Sequence, residues 1–574
     1  MGMTRPLLFS ILLFALLLPG CALLTERPAA PPVLPRQATA SAAHGMVVSD
    51  APLATRVGVE ILRDGGNAID AAVATAFALA AVYPEAGNLG GGGYLVARFA
   101  DGTDVALDFR EAAPLTATRD MYLDGNGAVT EASLIGHRAS GIPGAVAGLW
   151  EAHHRFGRLP WRRLVDPSVR LAREGFAIND RFARSVRQDS ARLCRFEESR
   201  RIFYPEGYSP TPGNLWRNPD LAATLERIAG GGAAEFYTGT TATLIAEEMA
   251  RGGGLITRED LVRYRALWRQ PVRFSYRGFA VLSAPPSSSG GVTLAVLMNI
   301  LEGYDLPALG SSADAIHLKT EAMRRAYADR NEYLADPDFV RVAVVSLLSP
   351  ERAAHWRQTI NTAKATPSDR IAHGTLNPTP EGSETTHLSV VDGEGNAVAL
   401  TTTINSLFGS AVTVRGAGFL LNNEMDDFAA RPGWPNAFGL VQGERNAIQP
   451  GKRMLSSMTP TIVCDSLGAP YLVTGGRGGA HIISSVFHVL TNVLDLRMDL
   501  PSAVAAPRIH HQHYPDVLQH EPGALDQDQA AELRRRKHEL KESRGSGSTC
   551  SIIRSPAGWV GVGDPRSGGS AEGY

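Results

Sequence analysis

The sequence predicts an α/β fold, and three stretches predict it. ETTHLSVVD (Glu384 to Asp392) and AVALTTTIN (Ala397 to Asn405) are Val- and Thr-rich runs joined by Gly393, Glu394, Gly395 and Asn396. β-Branched residues suit pleated strands and Gly and Asn tolerate turn dihedrals, so the two runs read as a hairpin. Ala51 to Leu62 and Ala68 to Tyr83 are helical in pattern, and the second is apolar nearly all round, as a buried helix must be. Ala315 to Leu334 is a longer helix behind Ser311 and Asp314, which have capping-box spacing.

The rest of the chain is consistent with that class. With 574 residues, 44% hydrophobic, 20% charged and a formal net charge of -2, it builds a large body and offers no basic surface for nucleic acid. The basic run Arg534 to Lys537 lies in a helical stretch with its own acids and reads as a solvated face. Of four cysteines, Cys21 belongs to the leader and Cys194, Cys464 and Cys550 remain, an odd number that gives no disulfide framework.

The chain opens with an export signal. Arg5 precedes the apolar run Leu7 to Leu18, which is short for a bilayer span of about 20 residues and suits a signal peptide. Leu18-Pro19-Gly20-Cys21 resembles the lipobox of bacterial lipoproteins, with Cys21 as the lipidated first residue of the mature chain, although Pro19 is not the usual small residue. Residues 1–21 are therefore expected to be the signal and residues 22–42, rich in Ala and Pro, a flexible tether. The expected location is the periplasm or cell envelope, with a lipid anchor on a membrane.

Along the body, GMVVSD (Gly45 to Asp50) is a short strand, and Asp64 to Asn67 stops one helix and starts the next. Four glycines, Gly90 to Gly93, lead straight into a strand at Tyr94 to Phe99. No Lys-Ser/Thr follows, so tight packing is a better account than a phosphate cradle. Val105 to Pro114 is a strand ending in charges, including Arg110. PPSSSGGV (Pro285 to Val292) reads as a loop entering a helix, and residues 361–383 as a polar, Pro-bearing mobile segment where a chain can be cut without losing its core. IHHQH (Ile509 to His513) could suggest zinc, but no Cys or carboxylate pair answers it in sequence, and no metal is expected.

Thr385 and Thr386 begin the hairpin. A threonine hydroxyl is a poor nucleophile unless a base adjoins it, and its own α-amine can serve once the bond between Glu384 and Thr385 is cut. Alone, a Thr-Thr pair is a strand start. Followed by Thr403-Ile404-Asn405, LNNEMDDF (Leu421 to Phe428), LSSMTP (Leu455 to Pro460) and Gly478-Gly479, it resembles the small subunit of γ-glutamyltranspeptidases. DFRE around Arg110, Tyr327-Ala328-Asp329-Arg330, Ala506-Pro507-Arg508 and GDPRS (Gly563 to Ser567) match further blocks of that family.

The resemblance implies an N-terminal-nucleophile fold, a four-layer αββα sandwich of two stacked sheets between helices. It implies one body built from a large fragment, residues 43–384, and a small one, residues 385–574, cut between Glu384 and Thr385. Thr385 is then the nucleophile, Thr403 its hydrogen-bonding neighbour, and Gly478 and Gly479 the oxyanion donors, with Gly476 and Arg477 where some relatives have Ser-Pro. Arg110, Ser456 and Ser457 would hold the substrate's α-carboxylate, and Asp427, Asn405 and Glu424 its amino end; some relatives have Gln at the position of Glu424. The expected substrate is a small γ-glutamyl amide such as glutathione, with no cofactor. Two alternatives are a cephalosporin (glutaryl) acylase, whose acyl chain lacks the amino group, and an unprocessed lipid-anchored binding protein. Phe428 to Leu440 resembles the family's lid loop. Phe438 stands where some relatives carry tyrosine, so a looser lid and more hydrolysis relative to transfer are expected.

Overall fold

The computed structural model describes Gly2 and residues 38–371, 385–543 and 547–574. The expected signal, Cys21, most of the tether and Glu384 lie outside the described residues.

Alternating side chains on the central hairpin generate the layers. Thr386–Val391 pairs antiparallel with Ala397–Thr403, with Thr386 opposite Thr402 and Val391 opposite Ala397. Leu388 and Val390 face one side, where they join a core with helices Pro52–Arg63, Ala68–Val82, Trp161–Glu174 and Pro219–Tyr237. Val391, Ala397 and Ala399 face the other side and meet Ile462, Val473 and Ile552 of a second sheet. That second sheet buries its far face, through Val463 and Leu472, against helices Gly290–Leu301, Ala313–Tyr333 and His481–Leu494. Three apolar layers in series make the αββα sandwich.

The first sheet has seven strands in the order Ser570–Gly573, Met46–Ser49, Thr386–Val391, Ala397–Thr403, Gly92–Arg98, Asp104–Phe109, Leu267–Arg269. The second sheet runs Thr39–Ala42, Gly558–Gly563, Ser548–Ser555, Pro470–Thr474, Thr461–Cys464, Phe279–Ser283, Val272–Tyr276, with Gly476–Arg477 as an added short strand on Ser548–Ser555. Residues before and after position 384 therefore alternate within both sheets.

Local chemistry accounts for the elements that frame the site. Helix Ala68–Val82 is buried at every residue and starts at a capping box in which Asn67 and Asp70 bond each other's backbone NH. The four glycines are packed as tightly as the sequence implies: a Cβ at Gly91 would lie 1.9 Å from the Thr403 carbonyl oxygen, and one at Gly93 2.1 Å from that of Thr401. Any side chain there would push the strand ending at Thr403 out of place.

Three expectations need correction. The tether cannot reach residue 42, because Thr39–Ala42 is already the edge strand of the second sheet, paired with Gly558–Gly563. Ser312, not Ser311, caps helix Ala313–Tyr333, accepting from the Ala315 NH at 3.3 Å, which puts Asp314 inside the first turn. The polar segment expected to be mobile from residue 361 is tied down as far as Ile371. Ala365 NH donates to the Arg536 carbonyl at 2.7 Å, Ser368 NH donates to Asp516 at 2.8 Å, and His513 bonds the Ser368 carbonyl. Residues 372–384 lie outside the described residues. Among the described residues no helix is long and apolar enough to cross a membrane.

Candidate active site

Strand ends from the first sheet and loops from the second converge on one cavity. It is lined by Arg110, Thr385, Thr403, Asn405, Glu424, Asp427, Ser456, Ser457 and Gly479 among the polar and backbone groups expected from sequence, with Phe438, Leu440, Met458 and Ile482 as apolar walls. Gly478 adjoins this lining through Gly479 and is not part of it. The free interior is about 20 Å³, room for one water and not for an amino acid.

Thr385 sits at the mouth of the hairpin, 5% exposed, with its hydroxyl directed at the Thr403 hydroxyl oxygen at 3.4 Å. The Thr403 oxygen also accepts from the Asn405 NH at 2.7 Å, which fixes its rotamer. Asn405 adopts φ of 75°, a left-handed conformation that asparagine tolerates better than most residues, and its amide donates to the Asn423 carbonyl at 2.9 Å. The neighbouring His387 is held neutral, its pKa lowered to about 3 by burial, with its nitrogens on Thr401 and Ser389.

The same cavity holds a buried charge cluster. Arg110, at the end of strand Asp104–Phe109, pairs with Asp427 and lies 2.6 Å from Glu424 and 3.3 Å from Glu111. Three carboxylates around one guanidinium cannot all ionise cheaply in a dry site. Burial and the neighbouring acids accordingly push Glu111 up to about 7 and raise Glu424 well above the carboxylate range, and burial alone raises Asp427, although Arg110 opposes each shift. Glu111 was missed in the sequence reading, although it is the last residue of the DFRE block.

Helix Ala313–Tyr333 supplies a support that the sequence marked only as a matching tetrad. Arg330 is buried and donates to the Ser457 hydroxyl at 3.0 Å and the Ser289 hydroxyl at 2.9 Å, while burial lowers its pKa to about 10. Ser289 in turn donates to the Ser456 carbonyl at 2.6 Å, so the PPSSSGGV loop braces the two serines and opens helix Gly290–Leu301, as expected. Tyr327 donates to the Ala480 carbonyl at 2.5 Å, directly after the glycine pair.

Gly478 and Gly479 have φ of 129° and 55°, conformations that L side chains resist. The loop from Ala430 to Gln442 covers them: a Cβ on Gly479 would lie 2.5 Å from the Phe438 ring. Phe438 is 5% exposed, the Ala437 NH donates to Asp426 at 2.9 Å, and Asn436 reaches Asp427 at 3.4 Å. Burial of the ring and these hydrogen bonds hold the loop down, and relative to a tyrosine here it lacks only one hydrogen bond, worth about 1 kcal/mol.

The histidines of IHHQH go to separate partners: His510 to Ser484 and Gln512, His511 to Arg324 and Asp516, His513 to the Ser368 carbonyl. Among the described residues, His317, Glu321 and His538 are close enough for a metal. Glu321, however, is taken by Arg324, Arg325 and Thr366, and the two imidazoles bond each other at 2.7 Å. These donors fit a structural crosslink better than a metal site.

Residues 54–574 match the family model for γ-glutamyltranspeptidase. The chain belongs to the γ-glutamyltranspeptidase family. It is 47% identical over 531 residues to the glutathione hydrolase proenzyme of Escherichia coli, covering 92% of this chain and 91% of that one. Among solved structures, γ-glutamyltranspeptidase of Helicobacter pylori is 42% identical with a TM-score of 0.56, covering 60% of this chain and 100% of that one. A cephalosporin acylase from Bacillus halodurans is 28% identical with a TM-score of 0.83, covering 96% and 99%. For a γ-glutamyltranspeptidase, the αββα sandwich and a threonine at the start of the central hairpin are the expected frame.

Proposed function

We propose that this chain is a self-processing γ-glutamyl hydrolase and transpeptidase that cleaves γ-glutamyl amides such as glutathione. One observation carries the reading: a single cavity is lined by Thr385 together with the Arg110–Asp427 pair. In the precursor, the Thr385 hydroxyl attacks the Glu384 carbonyl, and water opens the resulting ester to free the Thr385 amine. That amine then takes the hydroxyl proton as oxygen attacks the γ-carbonyl. The Gly478 and Gly479 NH groups hold the oxyanion, the proton passes to the leaving amine, and a γ-glutamyl ester remains on Thr385. Water or an amino acid's amine resolves the ester, giving hydrolysis or transfer.

The charge cluster sets the donor. Arg110 meets the α-carboxylate with its planar fork, helped by Ser456 and Ser457, whereas Asp427 and Glu424 meet the α-ammonium with Asn405 beside them. The incoming zwitterion replaces contacts that Arg110 and Asp427 make with each other, and the lid has to open to admit it. Glutaryl amides, which lack the ammonium, leave Glu424 and Asp427 without a cation and are the poorer donors.

The two products of cleavage, residues up to Glu384 and residues 385–574, stay together as one enzyme. Residues 1–21 direct export, and lipid on Cys21 anchors the protein in the cell envelope. Retention of a Cys21→Ser variant in the membrane fraction would count against the anchor.

The deciding experiment is intact mass and N-terminal sequencing of the purified protein beside Thr385→Ala, followed by a glutathione assay. A fragment beginning Thr-Thr-His in wild type only, with glutamate released from glutathione, supports the reading. An uncut wild type overturns it in favour of a binding protein.

A further inference from the structure

The run Ile509 to His513 stood out in the sequence without a function, and its geometry connects two moving parts of the site. Gln512 is 1% exposed, and its side-chain nitrogen donates to the Phe438 carbonyl of the lid at 3.1 Å. Its side-chain oxygen lies 2.9 Å from His510 Nε2, and His510 Nδ1 lies 2.8 Å from the Ser484 hydroxyl. The orientation is forced. Only the amide nitrogen can face a carbonyl, so the oxygen turns to His510 and accepts from Nε2–H, while the Ser484 hydroxyl lies between His510 Nδ1 and the His481 carbonyl, 3.1 Å away.

The same imidazole rests on the oxyanion loop. His510 stacks on His481 with ring centres 3.9 Å apart, and Tyr327, which donates to the Ala480 carbonyl, meets it edge-on at 5.6 Å. His481 NH bonds the Gly478 carbonyl at 3.0 Å. One buried relay thus runs from the lid through Gln512 and His510 to the residues that follow the glycine pair.

We propose that Gln512 is a positioning residue that couples closure of the 430–442 loop to the setting of the Gly478–Gly479 donors. The lid is latched from outside by an amide, and closing it fixes the oxyanion loop at the same moment. Its catalytic readout rests on the γ-glutamyl reading above; its structural readout does not.

Two variants test it. Gln512→Leu removes the donor, so amide hydrogen exchange in residues 433–441 should quicken at least tenfold. With a γ-glutamyl anilide, kcat/KM should fall about tenfold, and the share of acyl-enzyme taken by water instead of an added dipeptide should rise several-fold. Gln512→Glu makes the latch switchable: a protonated carboxyl can still donate to the Phe438 carbonyl, whereas a carboxylate repels it. Its activity relative to wild type should stay near one at pH 5 and fall about tenfold by pH 8 through one proton transition. Unchanged exchange in Gln512→Leu, or a Gln512→Glu ratio flat across pH, overturns the proposal. If Gln512→Leu does not fold, the pH profile of Gln512→Glu decides alone. A wild type inert to the anilide sinks the γ-glutamyl reading, while exchange still judges the latch.

Discussion

The Arg110 guanidinium and the Asp427 carboxylate, 317 residues apart in sequence, pair directly in the cavity that Thr385 also lines. On the function proposed above, the pair opens when a substrate carrying both charges arrives. Substituting Arg110→Lys keeps the charge and loses the fork, so KM for a γ-glutamyl donor should rise about tenfold to a hundredfold while fragment formation proceeds. Steady-state kinetics on the processed variant checks this, and an unchanged KM would exclude Arg110 as the carboxylate anchor.

Glu424→Gln should separate stability from binding. Burial keeps Glu424 protonated, so at neutral pH it must take up a proton on folding, a cost that Gln does not carry; the melting temperature should rise, by the equivalent of about 1 kcal/mol. Donor KM should rise together with it, because an anchor for the ammonium is lost. A variant that melts lower would show that the contact of Glu424 with Arg110 outweighs that cost.

The pH dependence follows from the same cluster. Glu111, raised to about 7 by burial and neighbouring acids, lies behind the cavity against Arg110, and its ionised form adds a negative charge that favours the arriving ammonium. kcat/KM for a γ-glutamyl donor should therefore climb through about pH 7 and level off, whereas a glutaryl donor shows a shallower rise. For stability the sign is opposite. An acid whose folded pKa lies above its unfolded one stabilises most at low pH, and that contribution is lost as pH passes 7.

Buried imidazoles give a second, separate pH effect. Burial lowers His538 to about 3 and His511 to about 4; His538 faces His317 and Arg324, while His511 faces Arg324, Asp516 and His513. Their unfolded forms titrate near 6.5, so stability from both is complete above that pH and falls on acidification. The loss should reach about 2 kcal/mol per imidazole by pH 5. Denaturant titrations at pH 7 and 5 would measure it, and equal midpoints would contradict it.

Gly479→Ala should cut kcat by about a hundredfold or more, since the new methyl opposes a φ of 55° and presses on the Phe438 ring. Self-cleavage measured beside turnover tells whether the same glycine serves both reactions.

Much of this site was legible in the sequence because short blocks carry it. Thr385, Thr403, Asn405, Glu424 and Asp427 lie at the ends of one hairpin and in the loop after it, in blocks whose resemblance to the family marked them out. The supports were less visible. Arg330 and Tyr327 project from a helix whose register could be read, but nothing along the chain says which side chain a buried arginine will meet 127 residues away. Gln512 is the extreme case, since an amide among histidines has no periodicity and gains its meaning only from the carbonyl it faces. The edge strand Thr39–Ala42 was hidden by its small residues, which look like linker until Gly558–Gly563 pairs with them.

The first sheet alternates in origin: Ser570–Gly573 from the small fragment, Met46–Ser49 from the large, the central hairpin from the small, then three strands from the large. Cutting one bond before Thr385 would therefore sever the chain without separating the fragments, because each of the two large sheets draws strands from both. If the proposed cut occurs, the strand order favours folding first and cutting afterwards, since the pairings that hold each large sheet together join residues on opposite sides of the scissile bond.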